Sequence, residues 1–143
     1  MSTVEIGEKL NKIGQLTADI LGKRPKDVFI YILAGDQWQE ASIFDDLGNR
    51  VIYHDPTREL FEEIGRLWAV ADPEKKWHMI HYDIKDGRFE VEYFYPDQLD
   101  PDEDSHEFRE RALAARYGDK PVVYPKPEPD GFVDLNLDDL TYD

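Results

Sequence analysis

Residues 77–95 have the sequence WHMIHYDIKDGRFEVEYFY, in which two strand-like runs flank an Asp-Gly dipeptide. Asp86 and Gly87 supply the two positive-φ positions that a type I′ turn requires, and this turn joins antiparallel strands through a two-residue loop. Lys85 then faces Arg88, and counting outward fixes every other pair. One face is apolar and is predicted to meet helices. Its pairs are Ile84 with Phe89, Tyr82 with Val91, and Ile80 with Tyr93.

The opposite face of this hairpin has a mixed composition, so it is predicted to be partly exposed to water. Its pairs are Asp83 with Glu90, His81 with Glu92, and Met79 with Phe94.

Three further strands are predicted upstream. Residues 27–33, DVFIYIL, form an almost continuous apolar run, which indicates a strand buried on both faces. Residues 37–45 and 50–53 predict two shorter strands, because turn sequences at 35–36 and 46–49 separate them. Together these segments predict a three-stranded meander.

Three helices are predicted around the strands. Residues 3–22 carry apolar side chains at helical spacing. A second helix is expected to begin near Pro56, with Asp55 as its N-cap, and a third spans about 105–117. The resulting order, α-βββ-α-ββ-α, predicts an α+β domain in which a five-stranded antiparallel sheet packs with helices.

The length of 143 residues suits one domain. We expect that domain to cover residues 1–125. Residues 126–143 are predicted to be a Pro-rich, acidic C-terminal tail with few apolar residues. This tail either docks as a short helix or strand or is mobile.

Charge is the most unusual bulk property of the chain. It has 32 Asp and Glu against 17 Lys and Arg, which gives a formal net charge of −15. Such a chain repels phosphate backbones and anionic lipid, so nucleic acid and membrane surfaces are not expected partners. Two interpretations remain. The charge either serves solubility alone or attracts a basic protein.

The compartment is predicted from what the sequence lacks. There is no cysteine, which excludes disulfides and thiolate chemistry. The first residues have neither the basic segment nor the apolar segment of a secretory signal. No apolar run approaches the roughly 20 residues that span a bilayer. A cytoplasmic location is therefore expected.

The sequence shows none of the common catalytic or metal-binding patterns. The sequence has no Gly-x-Ser-x-Gly and no phosphate-binding glycine pattern. His78 and His81 lie on a predicted strand with side chains on opposite faces, so they are not expected to share an ion. The acids near 100–104 resemble a calcium loop, but Ser105 and Arg111 occupy the positions where that loop needs Gly and Glu. We therefore expect no enzyme activity, metal or cofactor. A hydrolase that uses paired carboxylates is a distant alternative.

Several segments, with the order of elements, follow a pattern seen in one family. They are VFIY at 28–31, LFEEIGRLW at 60–68, WHMI at 77–80, DIKDGRFEV at 83–91, YFY at 93–95 and RYG at 116–118. The chain thereby resembles the YezG/EsaG-like immunity proteins of bacterial polymorphic toxin systems, from the first helix to about Pro125. The acidic stretch 97–104 and the segment after Pro125 depart from that pattern.

The resemblance implies a cytoplasmic antitoxin that binds the toxic C-terminal domain of a secreted effector, often a nuclease, by stoichiometric occlusion. It supplies no shared contact residues, so the contact set is predicted from acid clustering and exposed aromatic residues. The predicted toxin-binding residues are Asp97, Asp100, Asp102, Glu103 and Asp104, with Trp38 and Phe94 as anchors. The alternative function is an acidic adaptor or structural subunit that binds another basic protein. The oligomeric state is left open.

Overall fold

The computed structural model describes residues 3–125 and arranges them in three layers, with one sheet between helices on its two faces. The helices are α1 (Thr3–Leu21), α2 (Arg58–Ala69) and α3 (Ser105–Tyr117). The strands are β1 (Asp27–Gly35), β2 (Trp38–Asp46), β3 (Val51–His54), β4 (Met79–Lys85), β5 (Arg88–Phe94) and β6 (Val122–Val123). Their order across the sheet is β5-β4-β1-β2-β3-β6.

β1 lies inside the sheet because its sequence suits a strand without an exposed face. Residues 28–34 are all buried, as the apolar run predicted. β2 pairs with one side of β1 and β4 pairs with the other, so Val28 lies opposite both Asp45 and Ile84. A strand of this kind needs a packing layer on each face of the sheet.

The β4–β5 hairpin has the predicted turn and register. Asp86 and Gly87 have φ angles of 51° and 79°, both in the left-handed region. Every predicted pair is confirmed, from Lys85 opposite Arg88 to Met79 opposite Phe94. Arg24 donates from Nη2 to the Asp86 carbonyl at 2.6 Å, so the segment after α1 also holds the turn.

The first helical layer consists of α1 and α2. Apolar side chains from both helices meet one face of β1, β2 and β4 in a continuous cluster. Its buried members include Leu10, Ile13, Leu16, Val28, Ile30, Ile32, Ile43, Leu60, Ile64, Leu67, Ile80 and Tyr82.

Tyr82 connects β4 to α1. Its side chain is fully buried, and Oη donates to the Leu10 carbonyl at 2.7 Å. Helix α1 has Gly14 at the point of contact, where a Cβ would lie 2.7 Å from Oη. The glycine therefore makes the room that the phenol needs to reach the helix backbone.

Helix α3 covers the second face of the sheet, and the mixed face of the hairpin is partly buried beneath it and partly exposed, as predicted. The buried cluster there joins β1 to α3 and includes Phe29, Tyr31, Leu33, Phe44, Met79, Phe108, Ala112 and Leu113. On the same face, β5 stays exposed at Glu90 and Glu92.

Arg116 of α3 pairs with Asp83, the acidic residue that β4 places on the mixed face. Its guanidinium donates to both carboxylate oxygens of Asp83, at 3.1 and 2.8 Å. The same group lies over the Phe29 ring, 3.8 Å from its centroid. A charged residue on a covered face is thus tolerated because α3 brings its partner.

The sheet has a sixth strand, so the predicted five-stranded antiparallel sheet was incomplete. β6 is parallel to β3, with Val51 opposite Val122 and Ile52 opposite Val123. The Val51 N–H also donates to the Pro121 carbonyl at 2.8 Å. The domain is therefore α+β with a mixed sheet.

The predicted start of α2 was wrong by two residues. Thr57, not Asp55, is the N-cap, because its side chain accepts from the Leu60 N–H at 3.3 Å. The predicted tail at 126–143 lies outside the described residues.

Candidate protein-binding site

The acidic loop, residues 97–104, connects β5 to α3 and has a defined conformation. A 3₁₀ turn, Pro96–Gln98, begins this connection. The Gln98 side chain accepts from the Tyr95 N–H at 2.9 Å. Leu99 is half-buried against the cluster under α3, which anchors the middle of the connection.

Apart from Asp104, two of the predicted contact acids have partners inside the acidic loop or on α3. The Asp100 carboxylate accepts from the Asp102 N–H at 2.9 Å, which closes a local turn. Glu103 accepts from the Arg111 guanidinium in an ion pair. These two side chains fix the shape of the loop.

Asp104 is the N-cap of α3 in a reciprocal capping box. Its Oδ1 accepts from the Glu107 N–H at 2.9 Å, and the Asp104 N–H donates to Glu107 Oε1 at 3.0 Å. Both interactions satisfy backbone donors that the first turn of a helix leaves free. Asp104 therefore has a structural role beside any role in binding.

Replacing Asp104 by alanine is expected to lower the free energy of unfolding by about 1 kcal/mol, because the cap of α3 is lost. Asp102→Ala is the matched control, since it removes a neighbouring exposed carboxylate without removing a cap. Chemical denaturation of both variants checks the difference. Equal losses of stability in the two variants would contradict the capping role.

Asp97 and Asp102 have the side chains most available to a partner. Both residues are exposed. Within residues 3–125, no hydrogen bond or ion pair engages either carboxylate. Of the five acids predicted from sequence, these two have carboxylates that no described residue pairs with, so their charge is available to a binding protein.

Trp38 begins β2 and has 43% of its surface exposed. Its indole lies across Gly35, where a Cβ would come within 2.3 Å of Nε1. The ring packs edge-on against His78, with 5.9 Å between centroids. Trp38 is therefore an ordered aromatic surface with a free side, which suits an interface anchor.

Phe94 ends β5 and is half-buried, so less of it is available than of Trp38. Its ring packs against His81 at 4.5 Å between centroids. The Phe94 carbonyl accepts from the His78 N–H at 2.8 Å. His78 thus lies between the two predicted anchors, and burial lowers its pKa below the ordinary value.

The structure brings the predicted contact residues to one end of the sheet. β1 and β5 end there, and β2 and β4 begin there. Trp38 and Phe94 lie on strands three spacings apart, roughly 14 Å. The acidic loop follows directly from β5. We call this surface the acidic end; it comprises the acidic loop, Trp38, Glu40, His78 and Phe94.

Glu40 belongs to this surface and was not predicted. Its Oε2 accepts from Ser105 Oγ at 2.6 Å, while Tyr31 Oη donates to the Ser105 carbonyl at 3.0 Å. These contacts fix the start of α3 above the sheet. The available signal was the alternation of β2, which places Glu40 on the same face as Trp38.

Cations collect at the opposite end of the sheet, where three lysines pair with three aspartates. The pairs are Lys23 with Asp45 at 2.8 Å, Lys85 with Asp27 at 2.5 Å, and Lys120 with Asp46 at 2.9 Å. Burial opposes ionisation of Asp46, but hydrogen bonds from Lys120 and the Gly48 N–H hold its pKa below the usual value. The aspartates Asp27, Asp45 and Asp46 at this end are therefore paired with lysines, whereas Asp97 and Asp102 at the acidic end are not paired within the described residues.

Histidine placement differs from the expectation of opposite faces. His78 precedes β4 and lines a cavity with Phe108 of α3, while His81 packs against Phe29 under the same helix. Within the part of the chain that the structure describes, no cluster of three or more His, Asp or Glu side chains could hold a metal ion.

The sequence matches no protein-family model, and no curated protein matches it either. In residues 3–125, no helix has the length and apolarity needed to cross a membrane.

Proposed function

We propose that the protein is a cytoplasmic immunity protein that neutralises a cognate toxin domain by covering its surface. The observation that carries the proposal is the acidic end. There, the unpaired carboxylates of Asp97 and Asp102 lie at the same end of the sheet as the exposed Trp38 indole. An aromatic anchor within a charged rim is a common composition for a protein–protein contact.

The mechanism is occlusion without chemistry. A nuclease that grips phosphates has a basic groove. Carboxylates at the acidic end would occupy that groove in place of phosphates, and the indole would exclude water beside them. Long-range attraction would speed encounter. Because the lysines at the opposite end are paired, the protein's field would orient the acidic end toward the groove.

The proposal predicts that Asp97→Asn with Asp102→Asn weakens toxin binding by about tenfold or more at low salt, chiefly by slowing association. Neither carboxylate has a hydrogen-bond or ion-pair partner among residues 3–125, so stability should be retained. The measurement is association and dissociation rates against the toxin domain encoded next to this gene, at several salt concentrations. The salt dependence should become shallower in the variant.

Glu8→Gln with Glu62→Gln is the matched control, because both residues are exposed and lie on α1 and α2. It removes the same charge and should leave the rates nearly unchanged. Co-expression with the toxin tests the function itself, and protection with co-purification is expected. If the toxin still kills the cells, the proposed function is wrong. If both double variants behave alike, the acidic end is not the contact.

A further inference from the structure

β5 is an edge strand of unusual openness. It ends the sheet on one side and pairs only with β4 among the described strands. It is seven residues long, contains no proline and has every residue exposed or half-exposed. The other edge, β6, has only two residues. A long open edge offers a row of backbone donors and acceptors to another strand.

We propose that β5 binds an extended segment of another protein as an added strand, and that this segment alternates basic with apolar residues. The surface shares only Phe94 with the acidic end, so the inference stands whether or not the proposed function holds. Main-chain hydrogen bonds would supply affinity, and the two faces of β5 would set the side-chain pattern.

The face of β5 on the side of α1 and α2 favours apolar residues on an added strand. Phe89, Val91 and Tyr93 lie on this face, and Phe89 stacks on Tyr82 at 5.2 Å while 39% exposed. A groove of about 560 Å³ runs between this part of the hairpin and α1, and Ala18 lines its helix side. A second groove of about 360 Å³ lies beside Tyr93. Apolar side chains of an added strand would enter this space.

The other face of β5 specifies basic residues. Glu90 and Glu92 lie there at alternate positions, both exposed. Their neighbour on β4, Asp83, is already paired with Arg116, so that guanidinium is not available to them. Lysine or arginine on an added strand would lie directly opposite the two glutamates.

A second copy of this chain fits the edge poorly. Antiparallel pairing of two β5 strands about Val91 places Glu90 opposite Glu92. Pairing about either glutamate places that residue opposite itself. Each symmetric register that uses most of the strand therefore opposes at least one pair of like charges, which is unfavourable, although pairing about Glu90 also places Arg88 opposite Glu92. The same glutamates admit a basic strand.

The test uses the full chain and a peptide of about eight residues with capped termini, in which lysine and valine alternate. This length spans β5. The control peptide has the same composition with its lysines and valines in two separate blocks. The alternating peptide should bind and slow hydrogen exchange at amides of residues 88–94. The control peptide should bind at least about tenfold more weakly, because it cannot place valines on one face of β5 and lysines on the other.

Charge reversal provides the second arm. Glu90→Lys with Glu92→Lys should raise the Kd of the alternating peptide by about tenfold or more. Glu62→Lys with Glu110→Lys makes the same change in net charge at exposed helical positions and should have a much smaller effect. Circular dichroism confirms folding of each variant. If the β5 variant does not fold, the comparison of the two peptides and the hydrogen-exchange measurement on the natural chain still test the inference.

Three results would overturn the inference: equal binding of the two peptides, protection located at 97–104 instead of 88–94, or equal effects of the two charge reversals. A dimer of the natural chain with protected β5 amides would also overturn it, since the edge would then serve self-association.

Discussion

Tyr82→Ala is expected to lower the free energy of unfolding by about 4 kcal/mol, as truncation of a buried aromatic residue generally does. Tyr82 is fully buried and lies between Ile30 of β1 and Val91 of β5. Its removal leaves a cavity between the sheet and α1 that the stacked Phe89 ring cannot fill. Urea denaturation followed by circular dichroism measures the loss.

The hydroxyl and the ring of Tyr82 can be separated. Tyr82→Phe keeps the ring and removes only the hydrogen bond to the Leu10 carbonyl, so a loss of about 1 kcal/mol is expected. The Leu10 carbonyl also belongs to the α1 backbone, which limits the cost. A phenylalanine variant as unstable as the alanine variant would show that the contact with α1, and not ring packing, dominates this position.

His81→Phe is expected to make the protein more resistant to acid. The imidazole packs among Phe29, Tyr31 and Phe94, and its Nε2 is buried without a hydrogen-bond partner in the described structure. Burial, together with the positive charge of Arg116, lowers the pKa of His81 to about 4, while Asp83 acts in the opposite direction. The folded protein therefore favours the neutral ring.

The direction of the pH effect follows from proton binding. Between pH 6.5 and 4, the unfolded chain takes up a proton at His81 that the folded chain does not. This contribution to stability is complete above pH 6.5 and is lost as the pH falls toward 4, by about 2 kcal/mol after allowance for partial exposure. His81→Phe removes it. The difference in unfolding free energy between variant and natural protein should therefore grow, in favour of the variant, from pH 7 to pH 4.

Nuclear magnetic resonance titration of the His81 ring provides an independent check, with an expected midpoint near pH 4. A midpoint near the ordinary value, or a variant whose stability runs parallel to that of the natural protein across this range, would contradict the assignment.

The parts of the fold that were predictable from sequence have local causes. Asp86 and Gly87 determine a turn by themselves, and the turn then fixes the register of Tyr82 and its neighbours. The unbroken apolar run of β1 already required a covering layer on both faces. Which helix supplies the second layer was not predictable, because Phe108, Ala112 and Leu113 make only a narrow apolar stripe on a charged helix.

β6 was missed for a different reason. Two valines after Pro121 carry no periodic pattern, and their pairing with Val51 joins residues about seventy positions apart. Such contacts depend on the assembled sheet and not on local preference. The N-cap of α2 shows the same limit, since Asp55 and Thr57 are both preferred capping types and Asp ranks above Thr, which is the N-cap in the structure.

The candidate site was predictable in composition but not in arrangement. The clustering of Asp97 and Asp102 is visible in the sequence, whereas the internal roles of Glu103 and Asp104 depend on where α3 begins. Trp38 lies far from the acidic loop along the chain and reaches the same end only because β2 runs antiparallel to β1.

The position of β1 between β2 and β4 has a consequence for synthesis on the ribosome. β2 emerges immediately after β1, but β4 follows more than forty residues later and α3 later still. At a synthesis rate of about 5–20 residues per second, β1 emerges several seconds before the elements that cover its second edge and its second face. Cellular holdases that bind extended apolar segments should therefore engage residues 27–35 of stalled chains and release them once the β4–β5 hairpin has left the exit tunnel.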